Sequence, residues 1–400
     1  MRYSDSCIEI AISLDCLNDL QLFLQYENFI LHSFVEGDQS YHSWRRLGDV
    51  ASSIFALGYH EEIEDNVFMP PFLKELRWAA FARAYSGDKN VSIFLGRPPR
   101  ILRKYCRLEY ADSTSQTESI SGYASQKHLQ WPTNAKFDYM ADTRWSFLCA
   151  LLKEEILDLA HETNPLERSQ KAERIQAKVT ENWLSLPSQF RLEREVRKCS
   201  QNAKERDFMV SARLNHLHVL FLLRLHLMQH TSELDPSVVS IAAEILSLAV
   251  SAVVLRHQLV NSGTGIVWRV VYYGLPAAGI LCLSLLNQLP RMQQDGISIT
   301  NIFQDLSVLV AEVDSSALVD TRDPNYALLS GAVRTIKVIL EKLTFGFLSH
   351  HPVDQSDPIL PHIPDGQDSI PWIIPDSWDF ELDFWTDLVD HPVLLEDENQ

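Results

Sequence analysis

Six cysteines are spread over 400 residues, and no two of them stand in a Cys-x-x-Cys pair. Several of Cys7, Cys16, Cys106, Cys149, Cys199 and Cys282 sit in apolar helical surroundings, so the expectation is buried free thiols. Also missing are a Walker A loop, a Gly-x-Gly-x-x-Gly turn and a Gly-x-Ser-x-Gly elbow. His60-Glu61-Glu62 does not complete His-Glu-x-x-His, and no Asp-Asp pair supplies the acidic metal motif of an all-helical cyclase. Catalysis therefore has no motif to rest on, and the chain reads as a non-enzyme. Asp5, Glu9 and Asp15 interrupt the N-terminus where an apolar signal region would lie. Unpaired thiols and no signal point to a reducing compartment.

Charge is scarce over the longest apolar stretch and lopsided elsewhere. Between Arg269 and Arg291 no residue is charged, and Pro236 to Leu255 holds only Glu244. An all-apolar helix must be buried in a core or a bilayer. Gly274, Pro276 and Gly279, with Asn287 and Gln288 at the end, favour the core. The chain carries a net −18, which argues against a surface that holds nucleic acid throughout. Residues 351–400 contain thirteen Asp and Glu and no Lys or Arg, so most of that charge lies in the tail.

In order along the chain, residues 5–35 repeat with helical period and break at Gly37-Asp38-Gln39. A second helix runs from Ser43 to Leu57 and stops on Gly58. A third opens at Pro70-Pro71 and ends before Gly96-Arg97-Pro98-Pro99. Pro98 drives Arg97 out of the α region and Gly96 permits a left-handed cap, which leaves Arg97 placed to bond the last carbonyls or a carboxylate. Arg100, Arg103, Lys104 and Arg107 would form one basic stripe on a helix, either solvated or partnered by acids of the same protein. Residues 111–133 read as a loop. Helical segments follow at 142–161, 165–186, 208–230, 236–260, 266–289, 302–313 and 325–345, with no strand alternation between them. His216, His218, His226 and His230 lack the converging thiolate or carboxylate support of a zinc site and read as half-buried histidines. The fold class expected is all-α: a large multi-helix domain over 1–350 around two buried apolar helices, then a disordered acidic tail over 351–400.

One succession is specific. Trp44 leads a helix ending in Leu57-Gly58-Tyr59-His60; Glu75-Leu76-Arg77-Trp78, Asp88 and Leu95-Gly96-Arg97-Pro98-Pro99 follow in that order. Tyr272-Tyr273-Gly274-Leu275-Pro276 and Asp305-Leu306-Ser307-Val308-Leu309 come later. Over residues 6–345 this order resembles the middle homology, or regulatory, domain of fungal zinc-cluster transcription factors, although Arg77 runs into Trp78 without the usual arginines. The resemblance implies a nuclear regulator of RNA polymerase II genes, such as a metabolic set. Family members bind DNA through a separate N-terminal module of six cysteines and two zinc ions, which this sequence lacks. The chain alone is therefore expected to bind neither zinc nor specific DNA. It holds no cofactor, any zinc belonging to such an upstream module, and has no membrane partner.

Two candidate sites remain. Trp268, Tyr272 and Tyr273 cluster beside Gly274 and Gly279, where aromatics line and small residues open a pocket for a small-molecule effector. Simple core packing explains the same residues. In the tail, seven prolines and repelling acids oppose folding and keep Trp378, Phe380, Leu382, Phe384, Trp385 and Leu388 available. These are the contacts an activation segment would offer the transcription machinery or a coactivator, through a short helix formed on binding. The alternative tails are an inert solubilising one, or one docked on its own domain through Trp372 and Trp378. The alternative function is a helical ligand-binding or interaction protein that kept the fold and does not bind DNA.

Overall fold

Helix caps and proline starts divide the chain as their chemistry dictates. The computed structural model describes residues 2–61, 69–107, 131–132, 134–228, 235–260, 265–287, 292, 296–349 and Trp385. Among the described residues there is no strand. The periodic N-terminal stretch is two helices, α1 (Arg2–Ser13) and α2 (Asp19–Glu36). They part because Asp15 takes a left-handed φ of 50° and the Asn18 side chain caps α2 by accepting from Gln21 N at 3.1 Å. Next come α3 (Tyr41–Ala56), capped by Ser40, and α4 (Pro71–Phe94), which begins on its proline. After residue 131 follow α5 (Tyr139–Leu159), capped by Asp138, α6 (Pro165–Ser185), α7 (Ala203–Met228) and α8 (Pro236–Val254), capped by Asp235.

Ile266–Arg269, a π turn at Val270–Gly274, and Leu275–Asn287 run on as one helix, α9. Glycine and proline here were expected to weaken it, and the π turn shows how the strain is met. Pro276 has no N–H and its ring crowds the preceding turn. Widening that turn, with Leu275 N bonding Val270 O, takes up the missing bond inside a continuous helix. Gly274 does not open a pocket, because a Cβ there would meet Ala249 of α8 at 3.5 Å. The described fold closes with α10 (Ile299–Asp314) and α11 (Tyr326–Ser349).

The two apolar helices are long enough to span a bilayer, yet 83% of the most apolar 18-residue stretch of Ile266–Leu286 is buried inside the fold. Helix α8 packs on α7, α9 and α10, and α9 reaches α11. With α5 and α6 they enclose the large core, which includes Trp145, Leu152, Phe221, Ile245, Leu281 and Ile336. A smaller core lies among α2, α3 and α4 around Leu22, Leu47, Ile54, Phe81 and Tyr85. Helix α5 is the shared wall: Phe147 and Leu151 belong to the small core, Leu148 and Leu152 to the large one. Each fully buried Leu or Ile contributes about 1.5–3 kcal/mol.

Three of the segments quoted for the family resemblance, at Trp44, Asp88 and residues 96–99, meet around one buried carboxylate. Gly96, at φ +59°, closes α4 with Arg97 N bonded to Ser92 O at 3.0 Å. Arg97 does not bond the helix carbonyls or a carboxylate as expected. Its guanidinium lies 4.6 Å over the Trp44 ring, and Nη1 is buried without a hydrogen-bond partner. Arg100 stacks on the same ring at 3.7 Å and donates to Trp44 O at 3.1 Å. The Asp88 carboxylate accepts from Arg100 N at 2.9 Å and Ile101 N at 2.9 Å, so it holds the chain beyond Pro98 and Pro99 in place. Lys89, fully buried, sits 3.1 Å from both Asp88 and Glu154, while Glu154 also accepts from Arg103 N and the Tyr85 hydroxyl. Burial pushes the Tyr85 phenol well above its ordinary range, so it stays a donor.

The basic stripe expected beyond Pro99 is not helical, since only residues Arg103–Tyr105 make a single 3-10 turn. Arg100 faces inward, and Arg103 pairs with Glu155 at 3.2 Å.

Replacing Asp88 with Ala strands the N–H groups of Arg100 and Ile101 and removes one of the two carboxylates beside the buried Lys89 ammonium. The expected loss is about 3–5 kcal/mol in a urea titration, the scale for breaking a buried charge pair from one side. A loss under about 1 kcal/mol would mean the cluster does not hold the turn.

Candidate ligand cavity

Between the two cores lies a cavity of about 1280 Å³. Helix α2 contributes Tyr26, Phe29 and Phe34, and α4 contributes Arg83 and Asn90. Asp142 and Trp145 enter from α5, Asp207, Phe208 and Asn215 from α7, and Trp268, Arg269 and Tyr273 from α9. Loop residues Asp38, Asp323 and Asn325 complete the wall. This is the aromatic and polar mixture that binding cavities use.

Of the three residues read from the sequence as a pocket, the structure places Trp268 and Tyr273 in this wall. Tyr272 stands behind them, 2% exposed, stacked on Trp268 with ring centres 4.7 Å apart and planes at 10°. Its hydroxyl donates to Asn90 Oδ1 at 3.1 Å, and burial holds the phenol well above its ordinary range. The Lys153 ammonium donates to Asn90 Oδ1 at 2.9 Å and Asn215 Oδ1 at 2.8 Å. Buried without a carboxylate at hand, that amine is pushed down to about 8. It therefore braces two asparagines of the cavity from behind.

The charges of the wall are mostly matched. Arg83 pairs with Asp142 and donates to Thr143 Oγ1 at 2.8 Å, Arg256 pairs with Glu312 at 2.9 Å, and Asp138 is spent capping α5. Two groups stand apart. Asp38 is held near Asn325, whose Nδ2 donates to it at 3.1 Å, and desolvation raises its carboxyl to about 7. Arg269, 2% exposed, is 2.7 Å from Asp207 through Nη2, while its Nε and Nη1 are buried without hydrogen-bond partners.

The loop at Gly37 is tight: φ is +93° and a Cβ would meet Pro324 Cβ at 3.1 Å. Glycine there lets the N-terminal helices close on the segment before α11 and form this side of the cavity.

Sequence reading missed Asp38, Asp207, Asn215 and Asn325, which lie far apart in the chain and carry no local pattern. Arg269 did leave a signal, as the charge bounding the apolar stretch.

The histidines expected as half-buried are deeper than that. His216, stacked on Trp183 at 4.4 Å, is held neutral by burial, down to about 3, and His218 packs 4.6 Å from the Tyr272 ring. His230 lies outside the described residues. No cluster of three or more metal-ligating side chains occurs among the described residues.

Of the candidate activation contacts, Trp378, Phe380, Leu382, Phe384 and Leu388 lie outside the described residues, as do Trp372 and the rest of 350–400 except Trp385. Trp385 was expected to be available to a partner and is fully buried in the large core instead. Its carbonyl accepts from Thr335 Oγ1 of α11 at 2.8 Å. The physical reason is size: no other apolar side chain gains as much from burial. Docking on the domain was foreseen through Trp372 and Trp378, and the residue found docked is another.

Comparison with protein-family models, with curated proteins and with solved structures returned no match.

Two outcomes follow. The carboxyl of Asp38 binds its proton more tightly folded than unfolded, so its penalty is absent in acid, grows from about pH 4 and is complete above about 7. Asp38→Asn should therefore stabilise the fold by about 1–2 kcal/mol at pH 8 and by less at pH 5 in paired urea titrations. An equal effect at both would contradict the raised carboxyl. Trp385→Ala should cost about 3 kcal/mol, the scale for emptying a large aromatic site. An unchanged denaturation midpoint would show that this side chain does not hold the tail to the core.

Proposed function

We propose that this chain is the regulatory and activation portion of a fungal zinc-cluster-type transcription regulator. It acts in the nucleus on RNA polymerase II genes such as a metabolic set, and is not an enzyme. The observation that carries the reading is the convergence of three of the resembling segments. Trp44, Asp88 and the Gly96-Arg97-Pro98-Pro99 turn interlock around the buried Asp88 carboxylate. Motifs scattered by chance would have no reason to meet. The acidic tail supports the activation half, with Phe380, Phe384 and their neighbours as contacts for the transcription machinery or a coactivator. The cavity supports a small-molecule effector, with Trp268 and Tyr273 in its wall. DNA is reached through another module or protein, because the sequence carries no zinc-cluster cysteine pattern.

A second reading is favoured by one observation. The cavity together with the buried Trp385 equally suits a helical ligand-binding or interaction protein with no part in gene control.

Fusing the chain to a heterologous DNA-binding module separates the two. A transcription regulator should activate a reporter in fungal cells, and Phe380→Ala with Phe384→Ala should reduce that activation at least fivefold at equal protein level. A silent reporter with and without the substitutions would favour the binding protein.

A further inference from the structure

Arg269 is the one charged side chain of the cavity wall that is both buried and left with nitrogens that nothing accepts from. An ammonium or guanidinium buried in this way is destabilising unless its donors are met. Asp207 meets one nitrogen at 2.7 Å and leaves Nε and Nη1. Of the other wall cations, Arg83 is used by Asp142 and Arg256 by Glu312, while Lys204 is exposed to solvent and carries no buried donor. The wall that Arg269 shares is rich in aromatics, with Trp268 and Tyr273 on the same helix, Trp145 on α5 and Phe208 on α7.

We infer that the cavity takes an aromatic or otherwise flat apolar anion, a carboxylate or sulfonate, whose charged end is accepted by Arg269. The guanidinium is already stripped of water, so an anion seated there gains the interaction without first displacing a hydration shell. A planar guanidinium also suits a planar carboxylate better than an ammonium would. The apolar body of the ligand lies against Trp268 and Tyr273. Phosphate monoesters fit less well, because their second charge would face Asp207 and Asp142 in the same wall. This inference rests on the cavity being an effector site, and it names the class of effector.

Two dyes with one ring skeleton test it on the full chain. The probe 1-anilinonaphthalene-8-sulfonate is anionic, and N-phenyl-1-naphthylamine is its neutral counterpart. Energy transfer from tryptophan to each dye reports binding. The sulfonate is expected to bind saturably and at least tenfold more tightly than the neutral dye. Arg269→Met should remove that preference while leaving the neutral dye's affinity within about twofold. Because Arg269→Met strands Asp207, the double variant Arg269→Met with Asp207→Leu removes both charges and keeps the comparison valid if the single variant unfolds. Equal binding of the two dyes, or a preference that survives loss of Arg269, would overturn the anion assignment and leave the effector cavity standing. Saturable binding of neither dye would overturn both.

Discussion

The buried charge cluster of Asp88, Lys89 and Glu154 is the constraint on which the rest of the small core depends. A chain that has just left α4 through two prolines has no helix bonds to satisfy its N–H groups. Asp88, twelve residues back on α4, supplies the acceptors for Arg100 and Ile101. Its negative charge is tolerable there because Lys89 lies beside it, and Lys89 because Glu154 reaches in from α5. Three charges that would each be costly alone are thus held by one another, and in doing so they fix α4 against α5. Helix α5 is then positioned as the wall between the cores, and the cavity is the space that wall leaves open at its N-terminal end.

Polar groups around that cavity fall into two layers. Lys153 and Tyr272 lie behind and orient Asn90 from one side, with Lys153 reaching Asn215 as well. Asn90 and Asn215 are thereby fixed in orientation, and wall groups fixed in this way would lose little conformational entropy to a ligand. Arg269 is the exception: Asp207 meets its Nη2, and Nε and Nη1 have no acceptor among the described residues.

Helix starts were legible where a proline stands in the first turn, at Pro71, Pro165 and Pro236, and less so where a side chain caps: the starts read at Ser43 and 142 lie inside the helices that Ser40 and Asp138 cap. The split between α1 and α2 was not, since Asp15 and Asn18 interrupt a run of apolar residues without changing its period. At the cavity, Trp268 and Tyr273 could be picked out as aromatics at a small-residue segment. Their partners could not. Asp38 and Asn325 are 287 residues apart, and only the folded chain makes them neighbours. Arg97 and Trp385 show a different limit. Composition says that a side chain can make a hydrogen bond or an exposed contact, while the available space decides that one lies flat on Trp44 and the other fills a core.

The π turn in α9 gives this helix two phases. Each residue of an α-helix advances about 100°, so one residue accommodated in a wider turn offsets everything beyond it by roughly that angle. Ile266–Arg269 is set to present Trp268 and Arg269 to the cavity, and Leu275–Asn287 is set to meet α8 and α11. Substitutions can therefore alter cavity lining and core packing independently along the same helix. A change of length cannot, for losing one residue between Val270 and Gly274 would turn one half against the other. The number of residues in this helix is thus more tightly constrained than the identity of most of them.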